Sequence, residues 1–161
     1  MTGAVLQPGE RFGRWYDDFE VGAVHRHWPG KTITQAEDHI FCLLTMAASP
    51  VHVDAHYAAT QMEHGRNIVV GTFVYALLVG MSVADTSGRA IAALGTERLE
   101  HLHPVFHGDT LYATSEILAK RESRSRPNAG IVRIRTEGAN HAGETVCRFE
   151  RSFMVPKKES E

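Results

Sequence analysis

The chain has 161 residues, of which 43% are hydrophobic and 22% are charged, and its formal net charge is −2. This length suits one ordinary globular domain and is short for two. The charge balance gives no general electrostatic reason to bind nucleic acid, whose binding proteins usually carry a clustered basic surface. We therefore predict one domain across residues 1–161 and no nucleic-acid partner, with residues 1–10 and 157–161 as poorly ordered tails.

The N-terminal residues lack the basic start and the apolar run of a secretory signal, and no uncharged apolar stretch reaches membrane-spanning length. These features predict a cytoplasmic protein that has no membrane partner. Cys42 and Cys147 lie far apart in the sequence, each within an apolar-rich segment. We expect both to be unpaired thiols that pack as small hydrophobic side chains.

A helix is predicted immediately after Thr34, because Thr34 and Glu37 have the spacing of a capping box. In that motif the threonine hydroxyl and the glutamate carboxylate satisfy backbone N–H groups that a helix start leaves without partners. Ile40, Leu43 and Leu44 recur at helical spacing, so we expect them to share one buried face.

Pro50 ends this helix, because the residue before a proline is pushed out of the helical region of backbone space. Residues 47–54 are therefore predicted to form a bent loop, and residues 55–63 a short helix after which Gly65 takes a left-handed conformation. Residues 71–85 are apolar on nearly every face, which predicts a helix in the protein interior.

Strands are predicted near residues 24–32 and at residues 91–102, 110–121, 130–137 and 145–155. The alternation is clearest where Val132 and Ile134 face one way and Arg133 and Arg135 the other. One buried helix followed by a run of antiparallel strands is an α+β arrangement, in which the sheet packs around the helix.

Three segments in chain order carry a resemblance to a known family: residues 50–54 (Pro-Val-His-Val-Asp), residues 68–71 (Ile-Val-Val-Gly) and residues 103–111 (His-Pro-Val-Phe-His-Gly-Asp-Thr-Leu). They resemble the MaoC-like dehydratases and (R)-specific enoyl-CoA hydratases. Residues 43–46 and 54–58 are further similar to the branch that acts on mesaconyl-type and methylmalyl-type thioesters. The resemblance implies a single hot-dog domain, a curved antiparallel sheet wrapped around a long central helix.

The resemblance also implies an acyl-CoA hydro-lyase, which adds water to a 2-enoyl-CoA or removes it from a 3-hydroxyacyl-CoA. It implies a homodimer and no cofactor beyond the coenzyme A thioester that is the substrate. His52 matches the family's catalytic histidine, and Gly71 matches the residue whose N–H stabilises the developing enolate oxygen. Val70 and Asn67, which precede that helix, are predicted to bind substrate with Gly71.

The sequence departs from the family pattern beside His52, because Ala47 and Ser49 occupy the positions of the family's catalytic aspartate and nearby asparagine. Alanine cannot accept a proton, and loss of a positioned acid or base costs about 10²–10⁴ in rate. The carboxylates that could substitute are Asp54, Glu37, Asp38 and Glu63. Asp54 is the closest in sequence, so the predicted catalytic set is His52, Asp54 and Ser49.

Other interpretations stay open. The same fold supports acyl-CoA thioesterases, and the loss of the aspartate suits a non-catalytic acyl-CoA-binding subunit. His52 could merely hydrogen-bond across its loop, and Gly71 could serve only close packing. The remaining histidines with metal-ligand potential are His25, His27, His101, His103 and His107, but no cysteine or carboxylate pattern of structural-zinc spacing accompanies them, and we predict no metal site.

Overall fold

The computed structural model describes residues 12–158, in which six antiparallel strands form one sheet. The strands are β1 (Val24–Arg26), β2 (Lys31–Thr32), β3 (Ala92–His101), β4 (Thr110–Glu122), β5 (Ala129–Asn140) and β6 (Thr145–Pro156). Their spatial order is β1-β4-β5-β6-β3, and β2 also pairs with β4. Strand β3 therefore lies at one edge of the sheet and β1 at the other.

Within the described residues, four α-helices accompany the sheet: α1 (Gln35–Thr45), α2 (Pro50–Val53), α3 (Ala55–Gln61) and α4 (Gly71–Val83). Two short 3-10 helices span Tyr16–Asp18 and Ser87–Arg89. Within the described part of the chain, no helix combines the length and the apolar character needed to cross a membrane. The cellular location stays a prediction.

Most predicted elements are confirmed, with shifted ends. The capping box is present, since Thr34 Oγ1 accepts from the Glu37 N–H at 3.3 Å and Glu37 accepts from the Thr34 N–H at 2.9 Å. Helix α3 is two residues shorter than predicted, and the segment near residues 24–32 splits into β1 and β2. The predicted loop at 47–54 contains one helical turn, α2, whose first residue is Pro50.

Helix α4 buries one face against the sheet, formed by Val74, Leu78 and Ser82 at four-residue spacing. Leu78 is fully buried and packs so closely on Gly138 that a Cβ there would lie 2.5 Å from a Leu78 methyl carbon. The prediction that this helix is buried on every side is wrong, because the sheet is open and leaves residues such as Leu77 and Met81 only partly covered. The α+β arrangement itself is confirmed.

Helix α1 buries a different face from the one that was predicted. Ile40, Leu43 and Leu44 are 56%, 79% and 79% exposed, so the expectation of a buried apolar face is wrong. The buried residues of this helix are Asp38 and Cys42. Asp38 binds the start of α4, and this polar contact keeps the Asp38 side of α1 turned toward the protein interior. The apolar side of α1, with Ile40, Leu43 and Leu44, is left uncovered by the described chain.

The chain ends are only partly described. Residues 1–11 and 159–161 lie outside the described residues, so the whole of the first predicted tail and three residues of the second cannot be compared with the prediction. Lys157 and Lys158 are held, because the Lys158 N–H donates to Asp17 at 2.8 Å and Lys157 Nζ contacts Glu122 at 2.7 Å. Cys42 and Cys147 are both buried and form no disulfide.

A buried leucine of α4 and an exposed leucine of α1 test how the two helices pack. We expect Leu78→Ala to lower the free energy of unfolding by about 2–5 kcal/mol, because it leaves a cavity between α4 and the sheet. Leu44→Ala, on the exposed face of α1, is expected to change it by less than about 0.5 kcal/mol. Urea unfolding followed by circular dichroism measures both, and equal losses would contradict the observed orientation of α1.

Candidate active site

A backbone oxygen holds the His52 ring in one tautomer. It lies in α2, and its Nδ1 is 2.8 Å from the backbone oxygen of Ile68. A carbonyl oxygen can only accept, so Nδ1 carries the hydrogen and donates it. In the neutral ring the lone pair is therefore on Nε2, for which residues 12–158 provide no hydrogen-bond partner.

The turn that carries His52 is held by Asn67, which was predicted to bind substrate. The buried Asn67 amide donates to the backbone oxygens of Pro50, Val51 and Asp54 at 3.4, 3.0 and 3.2 Å. These contacts join the start and the end of α2 to the segment that precedes α4. Asn67 therefore positions His52, and its amide hydrogens already have acceptors within the protein.

The start of α4 supplies a backbone donor at Gly71. A helix leaves its first N–H groups without intrahelical partners, and its dipole adds positive potential there. The Val70 N–H is occupied, because it donates to Asp38 Oδ1 at 3.1 Å. The Gly71 N–H meets no acceptor among the residues that the structure describes. Of these two predicted residues, Gly71 is thus the one whose N–H is available to a ligand.

Asp38 is fully buried and joins three elements. Besides the Val70 N–H, its carboxylate binds His107 Nε2 at 2.8 Å. The neighbouring His39 contacts the backbone oxygen of His52 through Nε2 at 3.2 Å, and its ring meets the His107 ring edge to face at 5.7 Å. Helix α1 thereby supports both the turn that carries His52 and the helix that begins at Gly71.

A cavity of about 330 Å³ lies beside His52 and Gly71. Strand β3 and the segment after it form its other wall, where His101 and His103 are found. The aliphatic lining residues are Ile68, Val69, Val74, Leu102 and Val105. A largely apolar cavity with a few converging polar groups is the usual form of a small-molecule site.

A larger depression of about 480 Å³ on the sheet is lined entirely by arginine and glutamate. Its charges pair with one another, for example Arg148 with Glu137 at 2.7 Å and Arg135 with Glu150 at 3.5 Å. It has no apolar wall and no imidazole. We therefore assign the smaller cavity, which holds His52, as the candidate site.

Ser49 and Asp54, the other predicted catalytic residues, do not line this cavity. The exposed Ser49 precedes α2 and its side chain caps no N–H there. Asp54 caps α3 by accepting from the Tyr57 N–H at 2.9 Å. Within residues 12–158, no carboxylate oxygen lies within 4.0 Å of a His52 ring nitrogen.

The remaining candidate carboxylates also have other partners. Glu63 Oε1 lies 3.4 Å from His64 Nε2. Asp38 is buried and accepts the hydrogen bond from the Val70 N–H. The hydrogen bond from Lys31, followed by those from Thr34, lowers the pKa of Glu37 to about 2. None of the four carboxylates is placed as a partner of the His52 ring, so none takes the place of the residue lost at Ala47.

His101 was considered from the sequence only as a metal ligand, and its position beside Gly71 was missed. Its ring lies over Gly71, where an added Cβ would be 2.9 Å from both Cε1 and Nε2 of His101. No group of three His, Cys, Asp or Glu side chains in the described chain could hold a metal ion. No sequence pattern indicated that the end of β3 reaches the start of α4.

Solved structures place the chain in the hot-dog class. A MaoC-like dehydratase from Rhodospirillum rubrum superimposes with a TM-score of 0.78 at 25% identity, over 92% of this chain and 100% of that one. A Mycobacterium tuberculosis protein described as having a double hot-dog fold gives a TM-score of 0.74 at 23% identity, over 92% of this chain and 46% of that one.

Residues 7–161 match the family described as mesaconyl-CoA hydratase, and the chain belongs to that family. It is 37% identical over 160 residues to a β-methylmalyl-CoA dehydratase from Chloroflexus aurantiacus, covering 89% of this chain and 44% of the relative. It is 34% identical over 122 residues to an (R)-specific enoyl-CoA hydratase from Aeromonas caviae, covering 74% of this chain and 88% of that protein. The predicted family and branch are confirmed. The chain spans less than half the length of its mesaconyl-CoA and methylmalyl-CoA relatives.

The role of Asp38 can be tested through two substitutions. Asp38→Ala leaves the buried Val70 N–H without an acceptor, which we expect to cost about 1–3 kcal/mol of unfolding free energy. Asp38→Asn keeps an acceptor oxygen for that N–H and is expected to lose less. Thermal and urea unfolding measure both variants, and an equal loss in the two would contradict the acceptor role.

Proposed function

We propose that the chain binds an enoyl thioester of coenzyme A in this cavity and catalyses the reversible addition of water to its conjugated double bond. The observation that supports the proposal is that His52 and Gly71 line the same cavity. The bond to Ile68 O leaves His52 Nε2 as the proton acceptor, and an available N–H at the start of α4 lies in the same cavity. This is the pair of groups that the attacking water and the thioester oxygen require.

In the proposed reaction, the thioester oxygen accepts a hydrogen bond from the Gly71 N–H. His52 Nε2 removes a proton from water as the oxygen forms a bond to C3, and the π electrons move onto the thioester as an enolate. The N–H and the helix dipole stabilise that charge. A proton that originates in solvent then bonds to C2, protonated His52 releases its own proton to solvent, and the reverse sequence is dehydration. These steps transfer only protons, and we propose that they need neither a metal ion nor a redox cofactor.

The names of the relatives support the choice of substrates. Curated relatives are named for mesaconyl-CoA and β-methylmalyl-CoA, and a further one for (R)-specific hydration of enoyl-CoA. We propose mesaconyl-CoA and an unbranched enoyl thioester such as crotonyl-CoA as the substrates to test.

Binding without turnover is the second candidate function. Two observations favour it: no carboxylate of the described chain lies beside His52, and Ala47 replaces the residue that would have supplied one. A thioesterase has less support, because it usually needs a carboxylate to activate water against the thioester carbonyl.

We also propose a homodimer. In the sheet formed by residues 12–158, strand β3 pairs with β6 alone, and its solvent-facing residues include Leu94 and Leu99 at 47% and 42% exposed. An edge strand with exposed apolar side chains favours association with another chain. Because the chain covers 46% of a protein described as having a double hot-dog fold, a second copy could supply the second unit.

His52→Ala tests the hydratase activity. We expect the rate of double-bond loss from the better thioester to fall by about 10²–10⁴-fold, because the base is removed. His56→Ala, an exposed histidine on α3, is the matched control and should keep the wild-type rate. Absorbance of the conjugated thioester measures hydration, while release of free thiol measures thioesterase activity. Wild-type turnover in His52→Ala would contradict the proposal, and ligand binding without turnover of either thioester would favour the binding protein.

The dimer is tested at the two edges of the sheet. Light scattering of the wild-type protein should give twice the mass of one chain. Leu99→Glu places a charge on the β3 edge and is expected to shift the population to monomer. Val24→Glu, on the exposed opposite edge strand β1, should remain dimeric. A monomeric wild-type protein at all concentrations would contradict the proposal.

A further inference from the structure

We propose that His101 is the second acid/base residue of the site and takes the part that a carboxylate at position 47 would have had. This inference rests on the proposed function, because it assigns the group that delivers the second proton of the hydration. Three observations support it. A bulge in β3 directs the His101 side chain toward the site, the ring contacts Gly71, and the ring has no hydrogen-bond partner within residues 12–158.

An irregularity in β3 turns His101 toward the site. Glu97 pairs with Glu150 and Glu100 pairs with Arg148, so three steps along β3 match two steps along β6. Arg98, inside this bulge, has a left-handed φ of 53°. Such a bulge changes which face the following side chains occupy. Without it, His101 would share the outer face with Glu97.

The pairing after the bulge shows the new direction. His101 lies opposite Cys147, which is 0% exposed and belongs to the core beneath α4. Residues directly opposite each other on neighbouring strands point to the same face of a sheet. The His101 ring is therefore on the inner face, where it lies over Gly71.

Gly71 has a specific function in this arrangement. A Cβ at this position would meet His101 Cε1 and Nε2 at 2.9 Å, so any other residue would displace the ring. The glycine brings the imidazole against the same residue whose N–H is available to the thioester oxygen. His101 also lines the cavity that holds His52.

The His101 ring has no other role in the described chain. The other two histidines that border the cavity each bind a backbone oxygen: His52 that of Ile68, and His103 that of Thr145 at 2.8 Å. His101 is exposed and makes no hydrogen bond with residues 12–158. It can therefore exchange protons with solvent.

The proton balance of the proposed step is complete with two imidazoles. His52 takes a proton from the attacking water while the C3–O bond forms, and protonated His101 gives a proton from a ring nitrogen to C2 as the enolate collapses. After one hydration His52 is charged and His101 is neutral. Solvent water at the open cavity returns the proton from one ring to the other.

The test uses the full chain with His101→Ala and His101→Gln, and His141→Ala in the exposed β5–β6 turn as control. We expect both His101 variants to lose about 10²–10⁴-fold in kcat. Calorimetric binding of saturated butyryl-CoA should be unchanged. Added imidazole should restore turnover to His101→Ala, where it can fill the vacated space, and not to His101→Gln.

Wild-type kcat in either His101 variant would overturn the assignment. So would a loss of turnover that imidazole does not restore, or weakened butyryl-CoA binding, because both would indicate a packing role. Circular dichroism checks that the variants fold, and the glutamine, which is close in size to histidine, is chosen to keep the space over Gly71 filled. A wild-type protein that binds thioesters and never hydrates them would overturn the proposed function together with this assignment. Active wild type with active His101→Ala overturns the assignment alone.

Discussion

The buried carboxylate of Asp38 is the constraint on which the site depends. A charged or polar group that is removed from water is stable only when its hydrogen-bonding capacity is satisfied. Asp38 meets this condition with the Val70 N–H on one oxygen and His107 on the other. The partners lie 32 and 69 residues away in sequence, so this one side chain joins helix α1, the start of α4 and the turn before β4.

That contact also explains why helix α1 leaves its apolar residues uncovered. A helix can turn only one face toward its neighbours, and here the face with Asp38 is held inward. The same orientation brings His39 to the backbone of His52. Asn67 completes the support by holding both ends of α2. Two of the groups that act in the proposed mechanism, the His52 ring and the Gly71 N–H, are thus fixed by polar contacts that are buried or partly buried.

Local patterns predicted the elements well. The capping box at Thr34 and Glu37 starts α1, and in β5 the alternation buries Val132 and Ile134 while Arg133 stays partly exposed. Each of these features depends on residues close in sequence. The family resemblance, which rests on short motifs in a fixed order, correctly predicted the fold and the branch.

Features set by distant contacts were not predictable in the same way. Helical spacing shows that Ile40, Leu43 and Leu44 share a face, but it does not show which neighbour covers that face. The position of His101 depends on a bulge, and alternation along β3 would have placed it on the outer face. The sequence likewise does not indicate that Asp54 is a helix cap, because a capping aspartate and a catalytic one have the same local pattern.

The cavity lies beside β3, the edge strand at which a second hot-dog unit is proposed to associate. In the proposed mechanism the proton acceptor, the oxyanion donor and the proton donor all come from this one chain. A second hot-dog unit at the β3 edge would then contribute enclosure, not reacting groups. Exclusion of water strengthens the interaction between the Gly71 N–H and a developing negative charge, because fewer competing dipoles remain. An exposed His101 needs access to solvent to recover its proton, so the enclosure must leave a path for water at the end of β3.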